Sequence, residues 1–136
     1  MLPVTIRPLA PAELLPMELL LLADPSEEII LSYIHQSHTF IADYNGETAG
    51  VLVIQQQGAA AEVMNVAVPE AMQGRGIGRK LVAFAKQWAS QQSIKQLSVC
   101  TGNSTLPALS LYKSCGFKVE SIDEGYFLRN YPEPIM

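Results

Sequence analysis

The run Gln73-Gly74-Arg75-Gly76-Ile77-Gly78 constrains this chain more than any other feature, because it links a strand to a helix through a turn that depends on glycine backbone freedom. Residues 61–68 read as a strand that stops at Pro69 and Glu70. Beyond the turn, Ile77, Leu81, Phe84, Ala85 and Trp88 recur at helical spacing, so a helix is expected from about residue 76 to about residue 91. A strand, a glycine turn and a helix start bring several backbone N–H groups and the positive end of a helix dipole to one point. That makes an anion site. Arg75, Arg79 and Lys80 add charge at its rim, and a pyrophosphate suits it. A turn that binds nothing would need neither three glycines nor three cations.

Spacing separates the loop types that hold phosphates. The dinucleotide pattern G-x-G-x-x-G starting at Gly74 needs a glycine where this chain has Arg79, and no acidic residue follows in 93–101 to take a ribose hydroxyl. The nucleoside-triphosphate pattern G-x-x-x-x-G-K-[ST] fails at Arg79 and again at Leu81, which has no hydroxyl for magnesium.

Around this centre the other elements alternate. Residues 4–7 form a short strand, and Pro8 and Pro11 interrupt it before a leucine-rich helix over 13–23 with Pro16 in its first turn. Asp24-Pro25-Ser26-Glu27 reads as a helix start with Asp24 as cap, leading to a second helix that ends near residue 36. Strands over 39–42 and 50–54 flank Asn45-Gly46, a strong hairpin signal, and 55–60 is a soft connection. A fifth strand is expected over 96–100. A fourth helix follows with Ala108, Leu111, Tyr112 and Cys115 on one face, ended by Gly116, and then a sixth strand over 117–122. The order β-α-α-β-β-β-α-β-α-β, with no repeat or linker, describes one α/β domain over residues 1–136.

Composition excludes several function classes. At 136 residues and 49% hydrophobic content, the chain fills one core without disulfides or a structural metal. A net charge of -4 argues against sequence-independent binding to nucleic acid, which relies on clustered Lys and Arg. The longest apolar run, 19–23, is far short of the ~20 residues a membrane span needs, and the first residues show no export signal, so the expected location is cytoplasmic. Cys100 and Cys115 lack metal-ligand spacing and read as small buried hydrophobes. His35 and His38 have no partners for a metal, and none is assigned; Trp88 reads as core.

What the loop does match is Q/R-x-x-G-x-G/A, filled by Gln73, Gly76 and Gly78. With Val63-Met64-Asn65-Val66-Ala67-Val68-Pro69 before it, and Asn103 and Ala108-Leu109-Ser110-Leu111-Tyr112-Lys113-Ser114-Cys115-Gly116-Phe117 after it, the chain resembles the GNAT N-acetyltransferase superfamily. The likeness rests on motifs over 61–117 and on element order before that. It implies the GNAT (acyl-CoA N-acyltransferase) fold, a mixed β-sheet of six or seven strands flanked by about four helices. It also implies acetyl-CoA as co-substrate, no metal, and transfer of the acetyl group to a primary amine, on a small molecule or a peptide, by direct attack in a ternary complex.

By the same resemblance, the main chain of Gln73, Gly74, Arg75, Gly76, Ile77 and Gly78 binds the pyrophosphate, with Arg79 beside it. Val66, Ala67 and Val68 pair with the pantetheine arm in a notch between the fourth and fifth strands, and an N–H there faces the acetyl oxygen. Asn103 hydrogen-bonds the arm, or else caps the helix containing Pro107. Tyr112 stands where family members carry the tyrosine that protonates the departing thiolate; its alternative is a half-buried core tyrosine. Glu62 stands where one branch carries a general-base glutamate; its alternatives are a solvent-facing carboxylate at a strand end, or another acid among Glu27, Glu28, Asp123 and Glu124. A non-catalytic acyl-CoA binding or sensing domain would keep the loop and need neither Tyr112 nor Glu62. An assembly module would have no CoA affinity.

The resemblance also sets a difficulty at the C-terminus. Family members end with a seventh strand, whereas 131–136 is a poor strand with two prolines. Either 124–129 supplies a short final strand, or a second copy covers the edge in a homodimer, or that strand is lost.

Overall fold

Asn45 and Gly46 both have positive φ, 54° and 78°, the backbone of a two-residue hairpin turn whose twist matches its flanking strands. In the computed structural model, which describes residues 4–24, 26–100, 118–122 and 125–130, this turn joins β2 (His38–Tyr44) to β3 (Glu47–Gln57). Strand β1 (Val4–Pro8) lies antiparallel to β2 on the outer side. Gly58, with φ 61°, turns β3 back into β4 (Ala60–Ala67), again antiparallel.

The helix α3 (Ile77–Gln91) then crosses over to β5 (Gln96–Cys100), which runs parallel to β4. A parallel neighbour needs such a crossover, and a helix supplies it while covering one face of the sheet. The remaining strands, β6 (Lys118–Ile122) and β7 (Gly125–Asn130), pair antiparallel, and β7 inserts between β5 and β6. The sheet order is β1-β2-β3-β4-β5-β7-β6, a mixed sheet in an α/β fold. At the C-terminus, therefore, residues 125–130 supply a strand.

Two cores sit on the two faces. On one, Leu52 and Ile54 of β3 and Ala61 and Val63 of β4 pack against Ile77, Leu81, Val82, Ala85 and Ala89 of α3. On the other, Val51 and Val53 of β3 meet Leu19 and Leu20 of α1 (Met17–Ala23) and Ile30, Tyr33 and Ile34 of α2 (Glu27–Ile34). Strict alternation in β3 produces this division. Gly50 lets α3 approach closely: a Cβ there would lie 2.8 Å from Leu81 Cδ1, 3.3 Å from the Ala67 carbonyl oxygen and 3.4 Å from Ile77 Cγ2.

Several boundaries differ from the sequence reading, each for a local reason. The first helix starts at Met17 rather than 13, with Pro16 as its cap residue. Glu13 is engaged elsewhere, accepting from the Arg7 guanidinium at 2.8 and 2.9 Å and from the Ala10 N–H at 3.0 Å, which fixes 10–13 as a turn. Arg7 also reaches Asp43 at 2.6 Å. The second helix is capped by Ser26, whose hydroxyl accepts from the Ile29 N–H at 3.2 Å, and Asp24 instead accepts from the Ser26 N–H. The connection expected over 55–60 is mostly strand, since β3 runs on to Gln57 against β4. Trp88 is only half-buried. Three α-helices lie among the described residues. The expected fourth, with Cys115 and Gly116, lies outside them, and so does 131–136. Among the described residues no helix is long and apolar enough to cross a membrane.

Candidate active site

After β4 the chain passes Val68 and Pro69, makes one 3-10 turn at Glu70–Met72 and enters the glycine loop. Gly74 (φ 82°) and Gly76 (φ 78°) are left-handed, with open space where a Cβ would stand. The requirement for glycine there is conformational rather than a matter of crowding. Gly76 caps α3 with no side chain over the helix end, and the first turn holds no acidic residue. The first backbone bond of that turn is donated by Lys80 to the Gly76 carbonyl at 3.1 Å. The amides of Ile77, Gly78 and Arg79 precede it and have no intrahelical acceptor. Free donors, a positive dipole end and exposed Arg75, Arg79 and Lys80 therefore meet with no acid nearby in the first turn, an arrangement that fits a pyrophosphate.

Gln73 occupies a different position in this arrangement. Its N–H donates to the Glu70 carbonyl at 3.2 Å and its side-chain amide donates to the Val68 carbonyl at 3.0 Å. Gln73 thus fixes the path by which the loop leaves the strand. Arg75 lies over the Tyr44 ring, its Cζ 5.6 Å from the centroid.

A notch opens beside the loop, and the strand register shows why. Val53 of β3 pairs with Asn65 of β4, but the next residue, Ile54, pairs with Val63, so Met64 is an extra residue in β4. Such a bulge bends a strand and raises its twist. Pairing of β4 with β5 ends at the same place: Val63 opposite Val99 is the last pair, while on the other side β3 stays with β4 to Ala67. Beyond Val99, Cys100 still pairs with Phe127 of β7. Among the described residues, no strand pairs with Met64, Asn65, Val66 or Ala67 on the β5 side. That row of main-chain N–H and C=O groups leads directly to Val68 and the loop, and is the right partner for an extended amide-containing arm. The bulge had a signal in the letters, since the inward apolar positions shift phase from Ala61 and Val63 to Val66 and Val68.

Glu62 sits two residues before the bulge, with Gln55 of β3 and Ser98 of β5 beside it in the register. Gln55, Gln57, Ala60, Ala61 and Ser98 line a shallow pocket with it. Ser98 is 5% exposed and donates a long bond, 3.4 Å, to the Ala61 carbonyl. Burial pushes the Glu62 carboxyl above its ordinary range. A carboxylate with a raised pKa is a stronger base than an exposed one.

Asn65, beside the bulge, has no individual role in the sequence reading. It is 3% exposed, and its side-chain amide donates to the Leu20 carbonyl of α1 at 3.0 Å and to the Tyr33 hydroxyl of α2 at 3.2 Å. His38 packs on Trp88 with ring centroids 5.0 Å apart, and His35 caps the end of α2. Among the described residues no three His, Cys, Asp or Glu side chains cluster as metal ligands. Tyr112, Asn103, Asp123 and Glu124 lie outside the described residues.

Comparison with known proteins adds to this geometry. Residues 12–117 match the model of the Acetyltransferase (GNAT) family. An uncharacterised N-acetyltransferase of Bacillus subtilis, YvbK, is 40% identical over 119 residues, which cover 87% of this chain and 77% of that protein. Among solved structures, an IAA acetyltransferase from Bacillus cereus is 36% identical with a TM-score of 0.83, covering 93% of this chain and 97% of that one. A GNAT family acetyltransferase from Elizabethkingia anophelis, solved with acetyl-CoA bound, is 30% identical with a TM-score of 0.87, covering 94% and 97%.

Proposed function

Because this chain belongs to the GNAT acetyltransferase family, we propose that it transfers the acetyl group of acetyl-CoA to a primary amine by direct attack within a ternary complex. The observation that carries this reading is that, among the described residues, the edge of β4 beyond Val63 has no strand partner on the β5 side and leads to the open amide end of α3 at the glycine loop. The first part suits the amide-bearing arm of the co-substrate and the second its pyrophosphate. When bound, acetyl-CoA supplies an activated thioester.

The protein's own residues have three tasks. The free amides of Ile77, Gly78 and Arg79, with Arg75 and Arg79 at the rim, hold the diphosphate in place. The strand edge at Val66, Ala67 and Val68 aligns the arm, and an N–H in that stretch withdraws charge from the acetyl oxygen as the amine attacks. Glu62 accepts the proton from the incoming ammonium, directly or through water, since a lysine-like amine with a pKa near 10.4 is protonated at neutral pH. On the family resemblance, Tyr112 gives a proton to the leaving sulfur and Asn103 steadies the arm.

Isothermal calorimetry with coenzyme A tests the binding half. Saturable binding is expected, with a rise in melting temperature that grows with ligand concentration. No affinity in a folded sample would defeat the proposal. Thiol release from acetyl-CoA across a panel of amines, small molecules and peptides, tests transfer and identifies the acceptor. Binding without release on any amine would indicate an acyl-CoA sensor instead.

A further inference from the structure

Arg75 is placed unusually for a phosphate-binding cation. It stands between two glycines in the left-handed conformation, Gly74 and Gly76, so its own backbone is flanked by the two most permissive positions in the loop. Its side chain is exposed, and it lies beside the positive end of α3, whose first turn carries Arg79 and Lys80 and no acid. Electrostatics alone would swing such a guanidinium out into solvent. It lies instead 5.6 Å above the ring of Tyr44.

Tyr44 is well fixed. It is the last residue of β2, paired on one side with Val4 and on the other with Glu47, and its ring packs on the core beneath α3. The hairpin turn at Asn45 and Gly46 follows directly. A π face attracts a cation by its quadrupole, and a guanidinium held in advance loses less freedom when its anion arrives.

From this geometry we infer that Tyr44 is a positioning residue for coenzyme A, acting through Arg75. It keeps the guanidinium at the loop against the repulsion of the helix end. This rests on the reading of the loop as the diphosphate site, and adds to it a residue some thirty positions away on another strand.

A double-mutant cycle on coenzyme A affinity, read by calorimetry, tests it. Tyr44→Leu is expected to weaken binding about two- to five-fold, the range of an exposed cation–π contact. Tyr44→Phe keeps the ring and should bind like the parent. In the Arg75→Ala background, Tyr44→Leu should have no further effect. Equal weakening in both backgrounds would make Tyr44 merely structural and overturn the inference, as would unchanged affinity in Arg75→Ala or Tyr44→Leu. If Tyr44→Leu does not fold, Tyr44→Met, closer in volume, takes its place in the same cycle. A parent protein with no coenzyme A affinity would remove the loop reading and this inference together, whereas binding without coupling removes this inference alone.

Discussion

Glu62 is a carboxyl group held where burial disfavours its charge, and that has two consequences of opposite sign. As a base it is active only when ionised, so above its raised pKa Glu62→Gln should slow transfer by about 100-fold or more, and the ratio should narrow at lower pH. As a structural element it is a burden when ionised. A carboxyl with a raised folded-state pKa stabilises the fold below the unfolded value and loses that contribution as pH rises through the folded value. Glu62→Gln should therefore melt above the parent at about pH 7, with the gain closing near about pH 4. A melting difference that does not change with pH would contradict the burial argument, and unchanged turnover would remove Glu62 from the chemistry. Tyr112→Phe keeps most of the side-chain volume; it is expected to lower turnover about ten-fold or more while leaving coenzyme A affinity unchanged, and full activity would refute its role as proton donor.

At the scale of elements, the distance of α3 from the sheet is set by one missing methyl group. Gly50→Ala would press on the Leu81 side chain and the Ala67 carbonyl, so a loss of about 1–3 kcal/mol in urea denaturation is expected, with weaker coenzyme A binding because the loop moves with the helix. Unchanged stability would mean that Leu81 moves aside without strain. Legibility from sequence varied in the same way. The β2–β3 hairpin, α3 and β5 were readable because Asn45-Gly46, the apolar period from Ile77 and the run at Gln96 are local signals. The start of α1 was not, because Glu13 is held by Arg7, and Arg7 in turn by Asp43, thirty-six positions away. The glycine turn and the helix start after it were legible, but Gln73 bonds inward and Tyr44 approaches from another strand, which no spacing rule indicates.

For the molecule as a whole, Asn65 links the bulge of β4 to both helices on that face. Each of its side-chain N–H groups is used, one on α1 and one on α2, and burial pushes the Tyr33 hydroxyl pKa up. Asn65→Ala removes both bonds and leaves the buried Leu20 carbonyl without this donor, at a cost of about 1–3 kcal/mol measured by chemical denaturation. A loss well below that would show that α1 and α2 are held by their apolar contacts alone. The bulge next to Asn65 matters in another way. Exposed strand borders invite other proteins to add on, and folded chains commonly guard them with charge, proline or a covering helix. Among the described residues, the unpaired stretch of β4 lies between strands that have neighbours on their far sides, in the interior of the sheet. On the proposed function, a slender linear molecule completes it there, where the rim of a second folded sheet is too broad to enter.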